Sequence, residues 1–106
     1  MTFITLGIHY VKPEHVDDLL AAMRSINEAA HGAAGLLKIG AWRDILTERV
    51  VGVSIWESRE AFETAQQRIF AATADLPFDE WEERPRDVLL LEEATLEEAT
   101  LPPFLP

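Results

Sequence analysis

Six stretches of the chain carry a hydrophobic pattern regular enough to predict an element. Thr2 to Tyr10 (TFITLGIHY) is dense in β-branched and aromatic residues, which predicts a strand buried on both faces. Val11-Lys12-Pro13 ends it. Pro13 and Glu14 suit the first turn of a helix, where a missing N–H costs nothing and a carboxylate meets the positive end of the dipole. Val16, Leu19, Leu20, Met23, Ile26 and Ala30 recur at steps of three and four, the stripe of a helix packed on one side, with Gly32 as its left-handed cap. Leu36 to Arg43 (LLKIGAWR) and Arg49 to Trp56 (RVVGVSIW) read as strands. The short link between them predicts an antiparallel hairpin. Ser58 caps a second helix, with Glu60 in its first turn and Phe62, Ala65, Ile69, Phe70 and Thr73 as its stripe. Leu76 to Arg86, with its prolines and acids, reads as an irregular connection, and Asp87 to Glu92 (DVLLLE) as a fourth strand.

The order β-α-β-β-α-β predicts an α+β, ferredoxin-like fold: a four-stranded antiparallel sheet with two helices on one face. Ile4, Leu6, Ile8, Val51, Val53 and Ile55 form one apolar set on the first and third strands, while Phe3, Gly7, Gly52 and Trp56 fall on the opposite face. Two apolar faces and one pair of helices leave one face to be covered. A second copy of the sheet covers it most simply, giving a homodimer.

With 106 residues there is room for one domain, assigned to residues 1–93, followed by an acidic and Pro-rich tail at 94–106. The tail holds a repeated pentad, Leu91 to Thr95 and Leu96 to Thr100. Residues 1–56 carry six acids against five bases and residues 57–106 thirteen against four. With Lys12 and Lys38 as the lysines, this balance argues against nucleic acid and anionic membrane as partners. The absence of cysteine removes thiolate chemistry and fits a reducing compartment. Without a basic n-region or a long apolar run, the chain reads as cytoplasmic. His9, His15 and His31 show neither HxH nor HExxH spacing, so no metal site is expected.

The face carrying Thr5, Gly7 and His9 on the first strand, Gly52, Ser54 and Trp56 on the third, and Gly40 and Trp42 on the second has small residues at its centre. Small residues under helices leave a hole. A pocket with an apolar floor, Trp rings at its edge and few polar groups suits a flat aromatic or quinol-like molecule. His9 is the candidate base, with Ser54 and the Trp56 indole N–H as donors. Arg43 stands where it would meet a ligand carboxylate, and Trp81, in an acidic run read as a solvated face, at the sheet edge or pocket entrance.

Gly35-Leu36 at a strand start and Trp56-Glu57-Ser58 at a strand-to-helix junction, with Phe62 as the first core residue beyond it, resemble the antibiotic biosynthesis monooxygenase family of dimeric α+β barrels. The resemblance spans residues 2 to about 93. It implies a cofactor-independent monooxygenase acting on a small aromatic or polyketide-like molecule, with His9 and Trp56 as catalytic residues. Thr5, Gly7, Trp42, Gly52, Ser54 and Phe62 would contact the substrate. In quinone-forming members an Asn stands where this chain has Gly52 and a Tyr where it has Phe62. Heme-degrading members need a strand-one Asn, where this chain has Gly7, and a His where it has Thr73-Ala74-Asp75, so heme degradation is excluded. A non-catalytic small-molecule binder of the same fold is the second reading.

Overall fold

The computed structural model describes residues 1–94 of the chain. The tail expected after the domain therefore lies, from residue 95 on, outside the described residues. The elements are β1 (Phe3–His9), α1 (Val16–Ala30), β2 (Leu36–Arg43), β3 (Val50–Trp56), α2 (Arg59–Thr73), α3 (Phe78–Trp81) and β4 (Asp87–Glu92). The strands form one antiparallel sheet in the order β2-β3-β1-β4, and α1 and α2 pack on one of its faces. This is the ferredoxin-like α+β fold that the pattern predicts.

Local chemistry sets the element ends. Ser58 Oγ accepts a hydrogen bond from Ala61 N at 3.1 Å, satisfying one of the free donors at the start of α2. Pro13 sits in a 3-10 turn spanning Pro13–His15, so α1 begins at Val16 and not at the proline. The stretch after α2 is more ordered than its prolines suggest. Phe78 and Trp81 of α3 pack against the buried cluster of Leu19, Met23 and Val50, and apolar burial organises the turn. Lys12 N donates to Trp81 O at 2.8 Å and Glu83 N to Tyr10 O at 2.9 Å, pinning this segment to the end of β1.

The core beneath the helices is split. At one end Phe3, Trp56 and Ala65 are buried with Phe62 and Ile69 around them; at the other lie Leu19, Met23 and Val50. Between the two, Gly7 of β1 stands directly opposite Gly52 of β3. The opposite sheet face carries Ile4, Leu6, Ile8, Val51, Val53 and Ile55, with Trp42, Leu89 and Leu91 between 43% and 52% exposed.

Two glycines that flank the α1–β2 turn test this packing separately. Gly32 and Gly35 both have positive φ, at 81° and 82°. A Cβ on Gly35 would lie 2.6 Å from the Ala61 Cβ, whereas one on Gly32 would meet nothing within 4 Å. Gly32→Ala is expected to cost about 1 kcal/mol from the backbone alone. Gly35→Ala is expected to cost about 2–4 kcal/mol, because overpacking against α2 adds to the backbone strain. Urea denaturation of both variants checks the difference; equal losses would mean that α2 yields at this contact.

Candidate active site

The cavity follows from the paired glycines. With no side chain at either position, helices resting on the two flanking cores leave a space of about 280 Å³ between sheet and helices. Thr5, Gly7 and His9 line it from β1, Gly52 and Ser54 from β3, and Val88 and Leu90 from β4. Met23, Ile26 and Asn27 of α1 and Phe62, Gln66, Ile69 and Phe70 of α2 complete the roof. A Cβ on Gly52 would fall 2.8 Å from Met23 Cε, so this glycine sets how closely α1 approaches the floor.

His9 closes one end of the cavity. It is 6% exposed, its Nδ1 lies 3.0 Å from Oε1 of Glu82, itself 7% exposed, and its ring packs against Phe78 with centroids 5.9 Å apart. The other ring nitrogen points inward, since a Cβ on Gly7 would sit 3.6 Å from Nε2. An ionised carboxylate only accepts hydrogen bonds, so Nδ1 carries the proton toward Glu82, and in the neutral ring Nε2 offers a lone pair to the cavity. Burial holds the imidazole below the ordinary histidine range; the Glu82 carboxylate pulls the other way, and the Arg86 charge adds to the lowering.

Toward the end of the sheet away from His9, the Trp56 indole donates its Nε1–H to Ser54 Oγ at 2.8 Å, and Ser54 is in turn hydrogen-bonded to the Thr5 hydroxyl. Thr5 and Ser54 reach the cavity wall, so this chain ends on a hydroxyl pair that a ligand can meet.

Of the residues proposed from sequence as catalytic or substrate-binding, Thr5, Gly7, His9, Gly52, Ser54 and Phe62 come together here, and Trp56 and Trp42 do not. Trp56 is fully buried between Phe3 and Phe62, with its N–H already occupied by Ser54, so it is a core plug behind the cavity wall. Trp42 pairs with Val51 on the opposite sheet face, half exposed, with Lys38 Nζ 5.1 Å from its ring centroid. A register shift between Leu36 and Lys38 separates the start of β2 from the regular pairing, and strand alternation alone does not fix which face a strand presents. Gly40, grouped with Trp42, borders the cavity. Arg43 does not line it, and Trp81 packs into the core against Leu19 and Val50.

The sequence reading missed Glu82, Arg86, Asn27 and Gln66. Asn27 and Gln66 had a signal, each lying four residues after a stripe residue, Met23 and Phe62. Glu82 and Arg86 had none, because an acid in an acidic run becomes a buried partner only when α3 folds onto β1. His15 bonds Asp18 at 2.9 Å on α1, away from the cavity. Among the described residues no group of three or more His, Cys, Asp or Glu is placed to hold a metal, and no helix is long and apolar enough to cross a membrane.

The buried imidazole gives stability a pH dependence with a definite sign. The folded state disfavours protonated His9, so the unfolded chain binds the extra proton as pH falls through the ordinary histidine value of 6.5. The contribution is present above that value and is lost as pH falls toward the lower folded one. Urea midpoints of the native protein are expected to fall between about pH 7.5 and 5.5, and His9→Gln is expected to flatten this slope. An unchanged slope would place the titration elsewhere.

Comparison with known proteins places the chain. The family model described as antibiotic biosynthesis monooxygenase matches residues 3–69, so Phe78, Glu82 and Arg86 lie beyond the match. None of the curated proteins matches. Among solved structures, a conserved protein from Methanosarcina mazei Go1 is 14% identical, with a TM-score of 0.77 over 89% of this chain and 94% of that one. A protein from Mycobacterium tuberculosis is 18% identical, with a TM-score of 0.74 over 94% of this chain and 100% of its own. A third, an antibiotic biosynthesis monooxygenase, is 17% identical, with a TM-score of 0.68 over 90% and 100% of the two chains. At these identities the structures show a shared fold; the family match, covering more than half of the sequence, shows that the chain belongs to the antibiotic biosynthesis monooxygenase family.

Proposed function

We propose that the cavity is an active site in which a small aromatic or polyketide-like molecule is oxidised by dioxygen, with neither metal nor organic cofactor. The observation that carries this reading is His9, buried, backed by a carboxylate and presenting Nε2 to a mainly apolar cavity. For a methylene flanked by aromatic rings the chemistry balances without a further reductant. His9 takes one proton, the electron-rich anion reduces dioxygen and forms a C–O bond, and one oxygen atom stays as a carbonyl while the other leaves as water. The protein supplies the base, and Thr5 and Ser54 supply hydroxyls for the developing oxygen charge. Trp56 acts through Ser54, holding its hydroxyl in place. The absence of cysteine suits work in the cytoplasm.

A non-catalytic binder is the second reading, favoured by Gly52 and Phe62, which put no polar group at two cavity positions. His9→Ala separates the two. An enzyme using this base is expected to lose about 100-fold or more in oxygen uptake with an anthrone. A binder retains its affinity for the same molecule and shows no turnover before or after the substitution.

We further propose that the open sheet face pairs with a second copy of the chain. Its apolar set on β1 and β3, flanked by Trp42, Leu89 and Leu91, is the contiguous surface that sheet-on-sheet packing covers. Native mass spectrometry is expected to give a dimer that Val53→Lys dissociates. A monomeric native protein would contradict the pairing.

A further inference from the structure

We propose that Glu82 is a positioning residue that fixes the His9 ring with Nδ1 bonded and Nε2 free, and that the cavity's ligand is a flat ring bearing an O–H donor, a phenol or an enol. The inference rests on the reading of the cavity as a small-molecule site and names the class of molecule it selects.

Three observations converge on it. The His9–Glu82 contact is buried on both sides, which gives the imidazole a defined orientation. The backbone at Glu82 is held by the bridge to Val11 and by the Lys12–Trp81 and Glu83–Tyr10 bonds, which keeps the residue beside His9. Nε2 lies beside Gly7, at the place where the side-chain-free floor lets a ring approach.

The consequence is chemical selectivity. A lone pair at Nε2 accepts from an O–H and repels a ligand oxygen that has no proton to give. An ionised carboxylate therefore fits poorly there, with Glu82 just behind the ring. When the ligand proton moves to Nε2, the imidazolium formed is flanked by the buried Glu82 carboxylate, which stabilises it. The charged groups facing His9 are Glu82, from the segment after α3, and Arg86, which lines the same cavity and packs over Phe78 with its guanidinium 5.3 Å from the ring centroid. From α1 and α2 the polar groups are the neutral amides of Asn27 and Gln66.

The test combines histidine ¹⁵N NMR of the full chain with binding of three probes, 2-naphthol, 2-methoxynaphthalene and 2-naphthoate. In the native protein His9 is expected as the Nδ1–H tautomer, and 2-naphthol to bind about tenfold more tightly than its methyl ether and more tightly than naphthoate. Glu82→Gln keeps the shape and removes the charge. It is expected to lower the His9 titration midpoint by about one pH unit or more and to bring the naphthol preference close to one, while the methyl ether binds as before. Glu82→Asp, which restores the carboxylate, is expected to recover part of both. An unchanged tautomer and midpoint in Glu82→Gln would overturn the positioning role. Naphthoate binding most tightly would overturn the ligand class and assign recognition to Arg86. If neither naphthol nor its ether binds, the small-molecule reading itself fails, and the NMR result still decides whether Glu82 positions His9.

Discussion

Gly7 and Gly52 face each other across β1 and β3, at the middle of a sheet whose two ends are filled by Trp56 with Phe3 and by Val50 with Leu19. Because packed interiors transmit volume changes of a single methylene, the helices rest on these end cores and cannot settle into the gap between them. The cavity is therefore a result of backbone pairing, and its shape is fixed wherever the register holds. Each side chain that matters at the site takes its place relative to that pair. His9 and Thr5 are the next residues on the same face of β1, Ser54 is the next on β3, and Met23 reaches in above Gly52.

Trp56 shows how stability and the site are joined. A ring of its size removes about 200 Å² from water, worth about 5 kcal/mol at most by area. The same burial leaves its N–H needing a partner, which Ser54 provides at 2.8 Å. That bond orients a hydroxyl pair on the cavity wall, so a core residue shapes the site without touching a ligand. At the other end, α3 buries Phe78 and Trp81 and in doing so carries Glu82 to His9. An imidazole in this position without a carboxylate would have no fixed tautomer and a weaker lone pair; with it, Nδ1 holds the proton and Nε2 faces the cavity.

Much of this was legible in the sequence because it is local. Hydrophobic spacing marked both long helices and all four strands to within a residue or a few, Ser58 announced its cap, and the junction from Trp56 to Phe62 carried the family. Alternation along β1 and β3 placed Thr5, Gly7, His9, Gly52 and Ser54 on one face. Trp42 was misplaced because its strand has a bulge near its start, and one residue of slip reverses every side chain that follows. Glu82 was invisible for a different reason. It lies 73 positions from His9, and nothing in DEWEE distinguishes the one acid that α3 turns inward from those left in water.

In this reading of the cavity, small molecules enter between the helices and the Gly7–Gly52 floor. Side-chain NMR during titration with a flat aromatic ligand, with the glycines followed by their Cα protons, distinguishes the two faces, since successive strand side chains point to opposite ones. Shifts are expected at Gly7, His9, Gly52, Gln66 and Ile69 that saturate together, with Trp42, Val51 and Ile55 unmoved. Shifts concentrated on Trp42, Val51 and Ile55 would place binding on the open sheet face and rule out the cavity as the ligand site.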